Sequence, residues 1–426
     1  MPDLLLTNGR VIDPANHLDT MADVFLRNGR IDQVGNVRDL AQDVRVIDAT
    51  DKLVVPGLID MHVHLREPGD EEEETIASGS AAAAAGGFTS VVCMPNTDPP
   101  IDNEATVDFV YRQAAEAGIC NVFPAGAITK GRAGKEMAEL GQMIRAGVVA
   151  FTDDGNGVQD ASVMQRALKY ASMFDKPVCQ HCQVDSLAGR WCMNAGYHAT
   201  VLGLPGMNRL AEELMLHRDI QLIRQTGNHY HAQHVSTVGS VDLIHQAKER
   251  GWKVTCEATP HHLLLTDESC TTYDTNYKVN PPLRTEKDVE ALLQGVKDGT
   301  IDCLVSDHAP HLQSEKELEF LAAPCGIISL ECALGLYVKA LIEPGIIDWP
   351  RLIEMMTVHP ARILDIDKGT LTVGADADVT IIDPRYNWFV DVNAFYSKSR
   401  NCPYDKWQLS ARTTHTIVKG EMQFQL

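Results

Sequence analysis

In Gly57-Leu58-Ile59-Asp60-Met61-His62-Val63-His64-Leu65-Arg66, an apolar run is followed by two imidazoles and a guanidinium at every second residue. Alternate residues of an extended strand project to one side, so His62 and His64 can converge on one ion while Arg66 continues the same face. Two neutral imidazoles offer nitrogen to a borderline metal, and a guanidinium just beyond them suits a carboxylate held by two parallel hydrogen bonds. The chemistry suggested is a metal beside an anion clamp. A His-x-His pair also arises by chance in strands, so the assignment depends on what else the chain supplies.

It supplies a good deal. Met94-Pro95-Asn96-Thr97 offers an amide that can orient a ligand, although an Asn there also suits a turn. Phe151-Thr152-Asp153-Asp154-Gly155 offers two carboxylates, either of which could bridge two metals, and an Asp-Gly turn explains the same residues. His181 ends the expected strand 178–181, and His234 closes His229-Tyr230-His231-Ala232-Gln233-His234, in which His229 and His231 read as packing or supporting groups. In Thr259-Pro260-His261-His262 both imidazoles read as structural. Asp307, in Ser306-Asp307-His308-Ala309-Pro310-His311, is a carboxylate that can touch a metal and exchange a proton with a substrate.

The elements that must position these groups follow from the hydrophobic pattern. Strands are expected at 58–62, 90–94, 122–125, 148–152, 178–181, 230–235, 254–258 and 303–306, and helices at 73–85, 104–117, 162–172, 210–225, 241–250 and 288–296. About eight such alternations argue for an α/β fold of the (β/α)8 TIM-barrel type, whose active sites form at the C-terminal ends of the strands. Histidines or carboxylates stand at the ends of strands one, four, five, six and eight. Four His and two Asp there suit a binuclear zinc-type site. Residues 1–55 and 365–426 both read as short strands and tight turns, so one composite β domain built from both termini is expected to flank a catalytic barrel over 56–364. The Ala81–Ala85 run reads as a closely packed helix face stopped at Gly86-Gly87, and the acidic run 71–74 as a solvated helix N-terminus.

A formal net charge of -21 argues against nucleic acid and anionic membrane surfaces as partners, while a local Arg and a metal can still create an anion site. Eleven cysteines without a repeating framework suit a reducing compartment, and Cys179-x-x-Cys182 lacks the second pair a structural zinc site needs. Met1-Pro2-Asp3 opens no basic-then-apolar leader and no run approaches a membrane span, so a soluble cytoplasmic protein is expected.

Together the stretches 57–66, 94–97, 151–155, 306–311, Thr259-Pro260-His261-His262-Leu263 and Asn280-Pro281-Pro282-Leu283-Arg284 resemble dihydroorotase of the class I bacterial type, within the amidohydrolase superfamily. The resemblance covers essentially the whole chain. It implies zinc-dependent, reversible cyclisation of N-carbamoyl-L-aspartate to L-dihydroorotate with loss of water, the third step of de novo pyrimidine synthesis. It further implies two zinc ions: His62, His64 and Asp307 on one, His181 and His234 on the other, bridged by Asp154 and a hydroxide. Asp307 is then the catalytic acid–base, Arg66, Asn96 and His311 bind the substrate carboxylate beside His64, and Asn280 contacts the ring. The segment 311–326 is implied to be a mobile loop whose backbone at Cys325-Gly326 meets the substrate, with Cys325 where relatives commonly carry an aromatic residue. Many amidohydrolases bridge their metals with a carboxylated lysine. This chain has no Lys at 151–155, which disfavours a hydantoinase or allantoinase. An inactive dihydroorotase-like partner of aspartate transcarbamoylase would have lost ligands, and this chain keeps them all. Active association with that transcarbamoylase stays open, and a homodimer is common in the family.

Overall fold

Short apolar segments divided by Asn-Gly turns pair within the first 56 residues. Leu4–Asp13 (β1), Leu18–Arg27 (β2) and Arg30–Gly35 (β3) form an antiparallel meander, and Arg45–Asp48 (β4) and Leu53–Pro56 (β5) run parallel to β1. The β2–β3 turn is Asn28-Gly29, both at positive φ (52° and 75°), the backbone a tight two-residue hairpin demands. The computed structural model describes residues 3–38 and 43–426; Met1 and Pro2 of the expected leaderless start lie outside them.

Eight parallel strands follow: Leu58–Val63 (β6), Phe88–Cys93 (β7), Asn121–Gly126 (β8), Ala150–Phe151 (β9), Val178–Gln180 (β10) and, after a small separate pair Met193–Asn194 (β11) and Gly206–Met207 (β12), Tyr230–Ala232 (β13), Val254–Ala258 (β14) and Cys303–Leu304 (β15). Every residue of β6 and β7 is buried, as expected of parallel strands covered on both faces. The sheet closes on itself where the His64 amide donates to the His308 carbonyl at 2.8 Å. The crossover helices include Ile76–Gly86 (α1), Glu104–Ala117 (α2), Leu140–Ala146 (α3), Ala161–Ala171 (α4), Leu210–Thr226 (α5), Val238–Glu249 (α6) and Glu286–Asp298 (α7). The alternation read from the sequence is therefore a TIM-type barrel, with several strands shorter than expected. Its interior floor is apolar, with Met61, Val92, Ala125, Cys179 and Cys303 among its residues. The polar groups stand above this floor.

The C-terminal strands Val379–Phe389 (β16), Gln408–Val418 (β17) and Glu421–Gln425 (β18) join the first sheet through β16, which runs antiparallel to β5 with Thr380 opposite Val55. Helix α1 docks on this sheet. It ends at Gly87, whose φ of 99° a side chain would resist, and its last carbonyls accept threonine hydroxyls from the sheet: Thr416 to Ala84, Thr413 to Gly86 and Thr380 to Gly87, at 2.6–3.0 Å. The alanine run lets the two surfaces approach that closely. Among the described residues no helix is long and apolar enough to cross a membrane.

Candidate active site

His62 lies in β6 and His64 just beyond its end, but the strand is not evenly extended. Its register against β7 slips between Asp60 and Val63, and the Asp60 carboxylate accepts the His62 amide at 3.0 Å and the Ser306 amide at 2.9 Å. Burial pushes Asp60 up to about 7. The irregularity turns His62 into the barrel mouth, where the ends of β9, β10, β13 and β15 deliver Asp154, His181, His234 and Asp307. His234 and Asp307 both hold positive φ, 30° and 46°, so these turns are strained for non-glycine residues.

The six groups converge. His62 Nε2 is 3.4 Å from Asp154 Oδ1 and 3.5 Å from Asp307 Oδ1; His64 Nε2 is 3.1 Å from Asp307 Oδ1 and 3.6 Å from Asp154 Oδ2. On the other side His181 Nδ1 and His234 Nε2 lie 3.8 Å and 3.6 Å from Asp154 Oδ1 and 2.9 Å from each other. Asp154 therefore faces all four imidazoles. Asp153 points away, its carboxylate taken by the Thr129 amide at 3.0 Å and by the Thr129 hydroxyl. Despite burial, the imidazoles hold Asp154 and Asp307 well below the usual carboxylate range, and against the same burial the carboxylates Asp154, Glu257 and Asp307 raise His62 well above its ordinary value.

This donor set fits a cation. His62 Nε2 and Asp154 Oδ1 are buried without hydrogen-bond partners although they face each other, and His62, Asp154 and His234, like His62, His64 and Asp307, can each give one ligand atom to a common ion. Supporting groups turn the right nitrogens inward. His64 Nδ1 meets Asn96 Oδ1 at 2.8 Å and the Asn280 amide nitrogen lies 3.1 Å from His181 Nε2, so Asn96 and Asn280 stand at once beside a histidine and on the cavity wall.

Beyond this cluster lies the guanidinium. Arg66 is buried, its Nε 2.9 Å from Glu73 Oε2 and 3.0 Å from the Pro310 carbonyl, with one terminal nitrogen 3.3 Å from His311 Nε2. His311 also meets Glu73 Oε1 at 3.1 Å and the Cys325 carbonyl at 2.9 Å. Lys278 and Lys316 hold the 311–326 segment over the cavity, Lys278 donating to the Leu321 and Ala323 carbonyls and Lys316 to those of Pro324 and Gly326. The Gly326 amide is taken by the Lys278 carbonyl at 2.9 Å. The cavity so enclosed is about 240 Å³, below the ~300–1,000 Å³ of sites that take drug-sized ligands, and suits one small polar molecule.

Other expectations resolve differently. The acidic run is solvated at Glu71 and Glu72 but is not a helix N-terminus: α1 begins only at Ile76, capped by Thr75, and Glu73 and Glu74 turn inward. Glu73 pairs there with Arg66, and Glu74 is fully buried against His308, Ser78, Ser397 and the Lys398 amide. Inward donors compensate both charges, and residue type alone does not reveal such partners. His262 is structural, bonded to Thr259 Oγ1 at 2.7 Å and the Pro281 carbonyl at 3.0 Å. His261 is buried with neither ring nitrogen partnered. The eleven cysteines are free, and all but Cys325 are buried.

Glu257 was not singled out in the sequence, yet it orders the centre. One oxygen lies 2.5 Å from His62 Nδ1 and also accepts the His234 amide at 3.2 Å; the other lies 3.0 Å from His231 Nε2. A single charged residue within the buried strand Val254–Ala258 was the available signal, because a charge there must be paired. Although burial opposes ionisation, the His62 charge and the two imidazole bonds bring Glu257 down to about 2. Glu257→Ala is accordingly expected to cost roughly 3–5 kcal/mol, the scale for removing one partner of a buried charged pair. Urea denaturation measures it, and an unchanged midpoint would contradict the pairing.

Residues 51–240 match the family described as dihydro-orotase-like. The chain is 46% identical to the dihydroorotase of Acetivibrio thermocellus over 98% of both chains, and 49% identical to that of Syntrophotalea carbinolica over 99% of both. Among solved structures it resembles the L-hydantoinase (dihydropyrimidinase) of Arthrobacter aurescens, at a TM-score of 0.88 and 25% identity, with 99% of this chain and 96% of that one covered.

Proposed function

The chain belongs to the dihydroorotase family, and from that premise we propose that it catalyses the reversible cyclisation of N-carbamoyl-L-aspartate to L-dihydroorotate with loss of water, in de novo pyrimidine synthesis. The observation that carries the reading is one small cavity lined by the Arg66–His311 pair together with His64, His181, His234, Asp154 and Asp307, with His62 just behind them. Hydantoinases share the barrel. A ring substrate without a carboxylate would leave the outward hydrogen-bonding capacity of Arg66 and His311 unmatched, and a site built to hydrogen-bond a polar group rejects analogues that lack it.

The nitrogen-rich donor set suits zinc: His62, His64 and Asp307 would hold one ion, and His181 and His234 a second, with Asp154 serving both. Such a pair, when bound, supplies a hydroxide near neutral pH and polarises the amide carbonyl. The chain's own residues do the rest. Arg66, with Asn96 and His311, fixes the substrate carboxylate, and Asn280 contacts the ring. Asp307, ionised by its surroundings, accepts at Oδ the proton leaving the ureido nitrogen during ring closure and returns it to the amide nitrogen in hydrolysis. The reading takes residues 56–364 as the catalytic unit and 1–55 with 365–426 as its composite companion. It also takes the protein as a cytoplasmic, homodimeric enzyme of the class I type; sedimentation tests the dimer, and sedimentation with aspartate transcarbamoylase added tests whether the two associate.

The functional test is ring closure followed by dihydroorotate absorbance, with hydantoin and allantoin hydrolysis as controls. Turnover of carbamoyl aspartate but neither control is expected. Turnover of the controls alone would move the function to a neighbouring cyclic amidohydrolase, and none at all would favour an inactive partner.

A further inference from the structure

The connection between β16 and β17 leaves the sheet altogether. Val390 and Trp407 close its base, the Val390 amide donating to the Trp407 carbonyl at 2.9 Å, and the intervening chain crosses to the barrel mouth. There Ser397 and the Lys398 amide bind Glu74, and the Ser399 hydroxyl donates to the Glu73 carbonyl at 2.8 Å. Asn401 is buried there, at 3% exposure. Its Oδ1 accepts the His311 amide at 3.1 Å, and its Nδ2 donates to the Ala309 carbonyl at 2.9 Å and the Gly326 carbonyl at 3.1 Å. Its own carbonyl accepts the Ile328 amide at 3.0 Å.

These groups belong to two stretches. One, Ala309 to His311, carries the His311 imidazole and, at Pro310, the carbonyl that holds Arg66 Nε. The other, Cys325 to Ile328, forms the facing cavity wall and is so close that a Cβ on Gly326 would lie 2.7 Å from both the Ala309 carbonyl oxygen and His311 Cδ2. Asn401 binds both stretches. The task needs one acceptor and two donors on a short side chain, which an amide has. An aspartate there would set a negative charge against two carbonyl oxygens, and an alanine would leave the His311 amide and the Ala309 carbonyl without this partner while Lys316 still serves the Gly326 carbonyl.

We propose that Asn401 is a positioning residue for substrate recognition: by tying the His311 stretch to the Gly326 stretch, it holds the His311–Arg66 clamp at the spacing of one carboxylate. The terminal sheet thereby contributes to specificity through a residue remote in sequence from the barrel motifs. The proposal rests on reading that clamp as the carboxylate site.

The test compares steady-state kinetics with carbamoyl aspartate and bound metal in the full-length wild type, Asn401→Ala and Asn401→Asp. Asn401→Ala is expected to raise KM about tenfold with kcat falling no more than about threefold and metal content unchanged. Asn401→Asp is expected to raise KM further, because its added charge repels a carboxylate held nearby. A merely structural role would appear as lost folding or lost metal, not as a rise in KM with kcat and metal content kept. Asn401→Asp keeps the side-chain shape and carries the test even where Asn401→Ala does not fold. Unchanged KM in both variants, or a fall in kcat accompanied by metal loss, would overturn the proposal while wild-type turnover left the dihydroorotase reading standing. A wild type without turnover would overturn both.

Discussion

Asp307→Asn is expected to fold and to retain metal while losing turnover of carbamoyl aspartate by roughly 10²-fold or more, the scale of a general acid–base contribution. The carboxylate lies 3.1 Å from His64 Nε2 and 3.5 Å from His62 Nε2, and these imidazoles keep it ionised despite burial. An asparagine keeps the shape and one oxygen for a metal but has no basic oxygen at neutral pH to take the ureido proton. Loss should therefore appear in kcat more than in KM. Single-turnover kinetics and metal analysis on the same sample separate the two, and near-normal turnover would remove Asp307 from the proton path.

The next largest effect is expected of Arg66→Ala, which should raise KM for carbamoyl aspartate by roughly 10–100-fold, since a hydrogen bond to a charged group is worth about 1.5–3 kcal/mol. The contacts of Arg66 to Glu73 and Pro310 use Nε, and one terminal nitrogen lies 3.3 Å from His311 Nε2, so a carboxylate seated against the two side chains would meet the terminal nitrogens. Removing the guanidinium also leaves Glu73 as an uncompensated negative charge beside His311, which adds repulsion to the lost attraction. Arg66→Lys should recover only part of the affinity, because an ammonium cannot form the paired bonds of a planar fork. An unchanged KM in Arg66→Ala would place the carboxylate elsewhere.

The barrel was legible because hydrophobic runs alternate with helical spacings, and the six converging groups because each lies at or just past a strand end. The choice between Asp153 and Asp154 was not open to local chemistry. Thr129, distant in sequence, takes the Asp153 carboxylate and leaves Asp154 to the imidazoles. Glu74 was misread for the same reason. A glutamate in an acidic run looks solvated until His308 and Ser397, from two other parts of the chain, are brought against it. The slip in β6 left no signature either, because it depends on the Asp60 carboxylate satisfying the His62 and Ser306 amides. Glu257 differed: a lone charge in a buried strand announced a partner without naming it.

The most direct measurement of whether one cavity joins a metal-dependent centre to a carboxylate clamp is carbamoyl aspartate turnover with metal content on one sample through chelation and zinc titration. Turnover should vanish with the metal and return in step with binding, saturating at two ions per chain. Full turnover by metal-free protein would contradict the metal dependence.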